Sequence, residues 1–446
     1  MTKKAISYED LSSYSKFYSS DKRSAVLRHA LSKSELNNVI SSLDAPSNLN
    51  FNFSIEVKTM PVTSQKRSGR CWIFSACNVL RESIAKKLGI KDMFEISQNY
   101  ISYYDKFEKI NFVMEGVISL LDEEISSRKN QFLLSSGVGD GGQWGMFVDL
   151  VKKYGIVPKS VFPETAQSEM TFPSNKIINA SIRKFAYEAR KIYNESHNID
   201  SIYELKGEYL QKFYSLLTSC FGVPPAKFDF EYTDSQGKYH IEKDITPKQF
   251  FDKYVGSEID EYVSLINAPT SDKDYYQTYQ IELLGNVIGG KGVTHLNIPM
   301  ERMKELIISQ LQNGEIVWFG SDVSNYGDRV CGVWDDKALD YSSAFDLDVK
   351  FDKAAMLDFY HSSMNHAMVI TGVDIIEGKP TRWKIENSWG SEAGNKGYYI
   401  MSDSFFDLFV YQAAIKEKYL SDDEKKALKG DSILLAPWDP FGTLAD

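Results

Sequence analysis

A chain of 446 residues with 43% hydrophobic and 25% charged residues can bury a large core, which excludes disordered and fibrous classes. Its formal charge of −10 argues against a dominant nucleic-acid-binding role, which calls for a basic surface. Residues 1–10 lack the apolar core of a signal peptide, and no run approaches the ~18 apolar residues of a membrane span, so no membrane association is expected.

Residues 1–55 read as a polar, helix-forming extension. One segment opens at Tyr8-Glu9-Asp10-Leu11 and another near Ser32, which has capping-box spacing to Glu35. These are expected to be structural helices packed on the core. Next comes Gln65-Lys66-Arg67-Ser68-Gly69-Arg70-Cys71-Trp72, followed by apolar positions near 73, 76/77, 80, 84 and 88 and then Gly89. That spacing predicts a helix with a glycine stop, and it puts Cys71 in the first turn. Unpaired N–H groups and the helix dipole there favour a thiolate. Across a Ser-Gly loop, the Gln65 amide and the Cys71 N–H make a two-donor oxyanion hole. A lone cysteine before an apolar helix is ordinarily a small buried hydrophobe, and Cys77, Cys220 and Cys331 are read so. Cys71 differs only if a base and an orienter exist elsewhere.

Residues 56–165 read as mainly helical, closing on a glycine-rich stretch that includes Asp140-Gly141-Gly142-Gln143-Trp144 and a helix over 146–154. Such glycines permit close approach by another backbone. Residues 166–290 form a long insertion with helix-like stretches at 182–193 and 202–217. The β-rich part is expected over 291–430, beginning with an amphipathic helix at 300–311 and a buried strand near 314–320. His295 is read as structural. Strand candidates beginning at His366 and ending near Asn387 are separated by Glu377-Gly378-Lys379-Pro380, a reversal signal. That reversal makes His366 and Asn387 neighbours. A Cys thiolate, a His to take and return its proton, and an Asn to fix the imidazole form a nucleophile, base and orienter. His361 is the rival base, and His366 is preferred because it opens the apolar strand. Trp389 lies on the same side of the extended chain as Asn387 and would shield the Asn–His hydrogen bond from water. No metal-ligand set is legible, and neither metal nor organic cofactor is expected. Residues 431–446 are apolar for a chain end, and Pro437 and Pro440 lower the entropy lost on docking.

Gln-x5-Cys-Trp, His366-Ala367-Met368 and Asn387-Ser388-Trp389-Gly390 resemble the papain-type cysteine peptidases. The Ser-Gly-Arg-Cys-Trp variant and the wide Cys-to-His separation resemble one branch, the bleomycin hydrolase and bacterial aminopeptidase C family. Further matches at Tyr262–Asn267, Val317-Trp318-Phe319-Gly320 and Pro437-Trp438-Asp439-Pro440 extend the resemblance over nearly the whole chain. It implies an α+β papain-like fold, with a helical half carrying Cys71 and Trp72, a β-rich half, and a large helical insertion. It also implies that Gly141 and Gly142 pair with extended substrate. The insertion would support a homo-hexamer, and a C-terminal arm would enter the active-site cleft. There the chain end at Ala445 and Asp446 would meet the free N-terminus of a peptide substrate. Ser68 and Gly139 stand where secreted relatives carry a disulfide, which suits a reducing cytoplasm. Ala393 stands where many relatives carry a second Trp.

The expected reaction is thiolate acyl transfer by Cys71, His366, Asn387 and Gln65, removing N-terminal residues from short peptides. The alternatives are a thiol endopeptidase of the same family, or a nucleic-acid-binding protein with secondary peptidase activity. A transglutaminase-like acyltransferase would use Asp rather than Asn387 as orienter.

Overall fold

Helix Cys71–Leu88 begins and ends where the apolar spacing places it, and Gly89 terminates it in the left-handed region at φ 67°. The computed structural model describes residues 4–43, 50–90, 93–328 and 331–445. Almost all of this helix is interior: Trp72, Ile73 and Phe74 are fully buried. Burial of one such side chain stabilises by about 1.5–3 kcal/mol, so the helix is held by what surrounds it rather than by its own propensity. On one side lie helices Gln98–Ser119 and Trp144–Tyr154, and on the other strand His366–Ile376.

That strand lies within a twelve-stranded sheet formed among the described residues. Outward from it on one side run Val317–Ser321, Val410–Lys416, Tyr262–Ile266, His295–Asn297, Thr278–Ile281 and Ile433–Leu435. On the other run Lys379–Glu386, Tyr398–Ser402, Val333–Trp334 and Gly327–Asp328. Glu377 and Gly378 both take positive φ, 51° and 79°, the two-residue hairpin turn that matches strand twist. Its register sets Val369 opposite Glu386, so Asn387 continues toward the first residue of the partner strand. A helical half with Cys71 thus packs on a β-rich half with His366 and Asn387, the papain-like α+β architecture.

Several expectations change. The Ser32–Glu35 capping box does not form: the Ser32 hydroxyl donates to the His29 carbonyl, and Glu35 caps helix Leu36–Ile40 without a side-chain bond. The box sits instead at Ser7 and Asp10, opening helix Tyr8–Ser20. That helix and Lys22–Leu31 bury no residue, so they do not pack on the core as expected. Tyr8, Phe17 and Val26 face solvent. Few apolar positions recur with helical period there, and no wide stripe is available to bury.

The insertion holds the long antiparallel helices Phe172–Ser196 and Ile199–Phe221, but also a hairpin, Phe228–Thr233 with Tyr239–Ile245. Apart from Ile55–Glu56, the twelfth strand, which pairs with His366–Ile376, the strands of the main sheet begin at Tyr262 rather than near 291, because short strands between polar loops carry little periodic signal. Cys77 is buried, Cys220 half-buried and Cys331 exposed, so only the first behaves as a core hydrophobe.

One buried polar contact crosses the seam between the halves. Asn78 Nδ2 and Arg81 Nη2, both from helix Cys71–Leu88, donate to Glu386 Oε1 at 2.8 and 3.1 Å. Burial pushes the Glu386 carboxyl up from 4.5 to about 7, against the opposing pull of Arg81. The folded chain therefore keeps a proton that the unfolded chain releases, and this group's contribution to stability falls as pH rises between those values. Urea unfolding of wild type and Glu386→Gln should show it: the wild type loses ground to the variant as pH rises from 4.5 to 7. A pH-independent difference would contradict the assignment.

Candidate active site

Cys71 is the first residue of its helix, and its Sγ accepts the Ala367 N–H at 3.4 Å. The Ser75 hydroxyl, one turn on, donates to the Ala367 carbonyl at 2.9 Å, which ties the helix to the opening of strand His366–Ile376. His366 Nε2 and Asn387 Oδ1 are 2.9 Å apart, with Asn387 almost wholly buried. The same Oδ1 accepts the Ser388 N–H at 2.8 Å, which orients the amide so that its oxygen faces the imidazole. Trp389 stacks on His366 with ring centroids 4.8 Å apart and planes inclined 27°, so it covers the imidazole and excludes water from that side. Ala393 and Trp389 both pack against the same apolar cluster.

His361 is exposed and lies against Phe351, away from this set. His295 is buried with Nδ1 2.8 Å from the Ser264 hydroxyl, and burial pushes its pKa down to about 4, the behaviour of a neutral core histidine.

Gln65 belongs to the same cluster and is fixed at both ends of its amide. Nε2 donates to the Ser68 carbonyl at 2.6 Å, and Oε1 accepts the Ser388 hydroxyl at 2.6 Å. The Gln65 N–H also donates to the Ser388 carbonyl at 2.8 Å, so Gln65 and the residue after Asn387 hold each other in place. Ahead of Cys71, Arg70 is buried and forms an ion pair with Glu164 at 2.9 Å, while its Nε donates to the Ser68 hydroxyl.

Asp140 organises the glycine loop, a role the sequence reading did not assign. It accepts from the Gly69 N–H and Asn175 Nδ2, both at 2.9 Å, and from Thr171 and Lys106. Its own carbonyl accepts Trp72 Nε1 at 2.7 Å. Burial opposes its charge, but Lys106 and these donors outweigh it and hold the carboxyl well below the usual carboxylate range. The Gly69–Asp140 bond thus joins the loop ahead of Cys71 to the glycine loop. Lys109, paired with Asp105 at 2.8 Å, donates to the Gly141 carbonyl. A Cβ on Gly142 would lie 2.4 Å from the Trp72 ring, so only glycine permits the loop to sit this close to the Cys71 helix.

Gly142 also meets the C-terminal segment. Its N–H donates to the Leu444 carbonyl at 2.9 Å, so the chain's own C-terminal segment occupies that position. The segment runs from strand Ile433–Leu435, parallel to Thr278–Ile281, into the short helix Pro440–Ala445. Gln143 Nε2 donates to the Phe441 carbonyl at 3.0 Å, and the Thr443 hydroxyl donates to the Met364 carbonyl at 2.9 Å. Phe441 and Leu444 are buried in the apolar cluster that contains Cys71, and Ala445 packs against it. Asp446 lies outside the described residues.

Burial of those two side chains stabilises by about 3–6 kcal/mol. Ordering the six residues of helix Pro440–Ala445 costs roughly 6–12 kcal/mol, so fixed polar contacts must contribute as well. The strongest is Lys273 Nζ with Asp439 at 2.9 Å, where both side chains are buried. Burial opposes the Lys273 charge, but Asp272 and Asp439 outweigh it and raise its pKa. Arg128 lies over the Trp438 ring at 3.7 Å.

The thiolate expectation is also modified. Burial pushes the Cys71 thiol up to about 11, and the N–H groups of Ala367, Trp72 and Cys71 recover only part of that shift. The helix terminus therefore does not suffice, and a thiolate here needs a cation beside it. In His366→Ala, iodoacetamide should label Cys71 at pH 7 far more slowly than in the wild type, with labelling recovering only as pH rises. Labelling at the wild-type rate at pH 7 would show that His366 does not supply that cation.

Residues 5–442 match the profile of the Peptidase C1-like family. The chain is 47% identical to an aminopeptidase C of Lactobacillus delbrueckii subsp. lactis and 38% identical to one of Listeria monocytogenes, and each match covers 99% of both chains. It is similar to the crystal structure of PepW from Lactobacillus rhamnosis HN001, with a TM-score of 0.96 and 44% identity over 98% of this chain and 99% of that one.

Proposed function

The chain belongs to the Peptidase C1-like family and is a cysteine-type aminopeptidase, and we propose that it trims short peptides from their free N-terminus, with its C-terminal arm as the length limit. The observation that carries the exopeptidase reading is the hydrogen bond from the Gly142 N–H to the Leu444 carbonyl. A backbone donor suited to extended substrate is already paired with the chain end, beside the helix that begins at Cys71. Substrate then has room only between the arm and the thiol, and its α-ammonium meets the carboxylate-bearing end that follows Leu444. Ala445 and Asp446 supply that end.

Cys71 Sγ attacks the carbonyl carbon of the first residue. With Nε2 of His366 turned to Asn387, Nδ1 takes the thiol proton, and the resulting imidazolium is the cation that the buried thiolate needs. The Cys71 N–H and the second Nε2 hydrogen of Gln65 receive the tetrahedral oxyanion. The fixed Gln65 amide needs no reorganisation at that moment, and one such donor lowers the barrier by about 2.7–4 kcal/mol. His366 then protonates the leaving amine, the C–N bond breaks, and a thioester remains. Water, losing its proton to His366, hydrolyses the thioester and restores the thiol.

Cys71, Cys77 and Cys220 form no disulfide, which supports work in a reducing cytosol. Among the described residues no helix is long and apolar enough to cross a membrane. The apolar residues Tyr14 and Phe17 on the first helix and Tyr187 and Tyr203 on the insertion are exposed, which supports assembly into a homo-hexamer. A monomer mass by light scattering would remove that part of the reading.

The function is tested with an aminoacyl fluorogenic substrate and its N-acetylated twin, using the full chain and a chain ending at Pro440. The full chain should cut only the free amine, and the shortened chain should cut both. Cleavage of both by the full chain would favour an endopeptidase.

A further inference from the structure

An arm that measures substrate must itself be held in register. A slip of one residue through the short 3-10 helix Pro440–Ala445 advances a carbonyl by ~2 Å and turns it by about 120°, enough to take the Leu444 carbonyl off the Gly142 N–H. Main-chain carbonyls recur at every residue. The bonds to the carbonyls of Phe441 and Leu444 could therefore form as well in a shifted register.

Asp439 cannot be shifted in this way, because its two oxygens have different tasks. Oδ1 accepts the Phe441 N–H at 3.0 Å and caps the helix Pro440–Ala445 that presents Leu444. Oδ2 pairs with Lys273 Nζ at 2.9 Å, where the side chains are only 9% and 3% exposed. Lys273 also contacts Asp272, but that carboxylate is 62% exposed and strongly solvated.

Lys273 is in turn fixed to the sheet. Its carbonyl accepts Asn297 Nδ2 at 3.0 Å, and its N–H donates to the Thr270 carbonyl at 3.2 Å. Asn297 is fully buried in strand His295–Asn297 and also donates to the Ala268 carbonyl. A charge fixed to the sheet therefore meets a charge fixed to the arm, in a setting where a one-residue slip leaves Asp439 unpaired and Lys273 with only the exposed Asp272.

We propose that Lys273 is a positioning residue for specificity: its ion pair with Asp439 sets the register at which the arm stops substrate ahead of the scissile bond. This rests on the arm acting as the length limit. Neither side chain touches the reacting atoms, so the pair governs which substrates enter rather than the chemical step.

The test uses full-length Lys273→Met, Lys273→Arg and Asp439→Asn with the free-amine substrate and its N-acetylated twin. Asp439→Asn keeps the size and the oxygen that caps the helix while removing the charge, so it covers the case in which Lys273→Met does not fold. Lys273→Met and Asp439→Asn should lower the free-to-blocked ratio of kcat/KM tenfold or more. The change should come from new cleavage of the blocked substrate and a raised KM for the free one, with kcat on the free amine within about twofold. Lys273→Arg should keep the wild-type ratio. An unchanged ratio in the folded variants, with Cys71 fully titratable, overturns the assignment. If the chain ending at Pro440 also keeps the wild-type ratio, the arm is not the limit and the functional reading fails with it. If that chain changes the ratio and the charge variants do not, only the Lys273 assignment fails.

Discussion

The structure depends on a single seam, the packing of the nearly all-buried helix Cys71–Leu88 against strand His366–Ile376. Neither element can be moved alone. The helix has almost no solvent face, and the strand is paired on both edges. The Ser75 and Ala367 contacts fix their relative height, while Glu386 with Asn78 and Arg81 fixes the far end. Since close-packed interiors transmit displacement rather than absorb it, the thiol and the imidazole inherit their spacing from this seam.

The residues around Cys71 and the C-terminal arm are held by different contacts. The groups around Cys71 are fixed by short bonds within the seam: Gln65 by Ser68 and Ser388, Asn387 by Ser388, and His366 by Asn387 and Trp389. The arm is fastened at Lys273 and Arg128, and reaches the site through main-chain bonds at Phe441 and Leu444 and through the burial of those two side chains. Such a division allows the reach of the arm to change without disturbing the reacting groups. It also explains why buried charge is concentrated around the site. Asp140 with Lys106, Asp105 with Lys109 and Arg70 with Glu164 lock loops that carry no regular secondary structure of their own.

Much of this was legible from residue order. The period of the apolar residues and Gly89 fix the Cys71 helix, and the Glu377-Gly378 turn fixes the pairing that brings Asn387 toward His366. Those are local signals, set by helical spacing and by the φ values a tight hairpin demands. The Ser32–Glu35 spacing shows the limit of such signals: the cap formed at Ser7 because a helix begins there and not after Ser32. The strand at Tyr262 was missed for the same reason, since its place in the sheet depends on Val410–Lys416, far along the chain.

By itself, the sequence determined which residues could react and which elements carry them, because reactivity and local periodicity are properties of short stretches. Only the tertiary structure decided the environment that governs them. Burial pushes the Cys71 thiol up to about 11 and makes it depend on a neighbouring cation. The Gly142 N–H pairs with the Leu444 carbonyl, and Asp439 finds Lys273. Desolvation and the pairing of distant groups depend on what the rest of the chain brings near, and no local pattern encodes that.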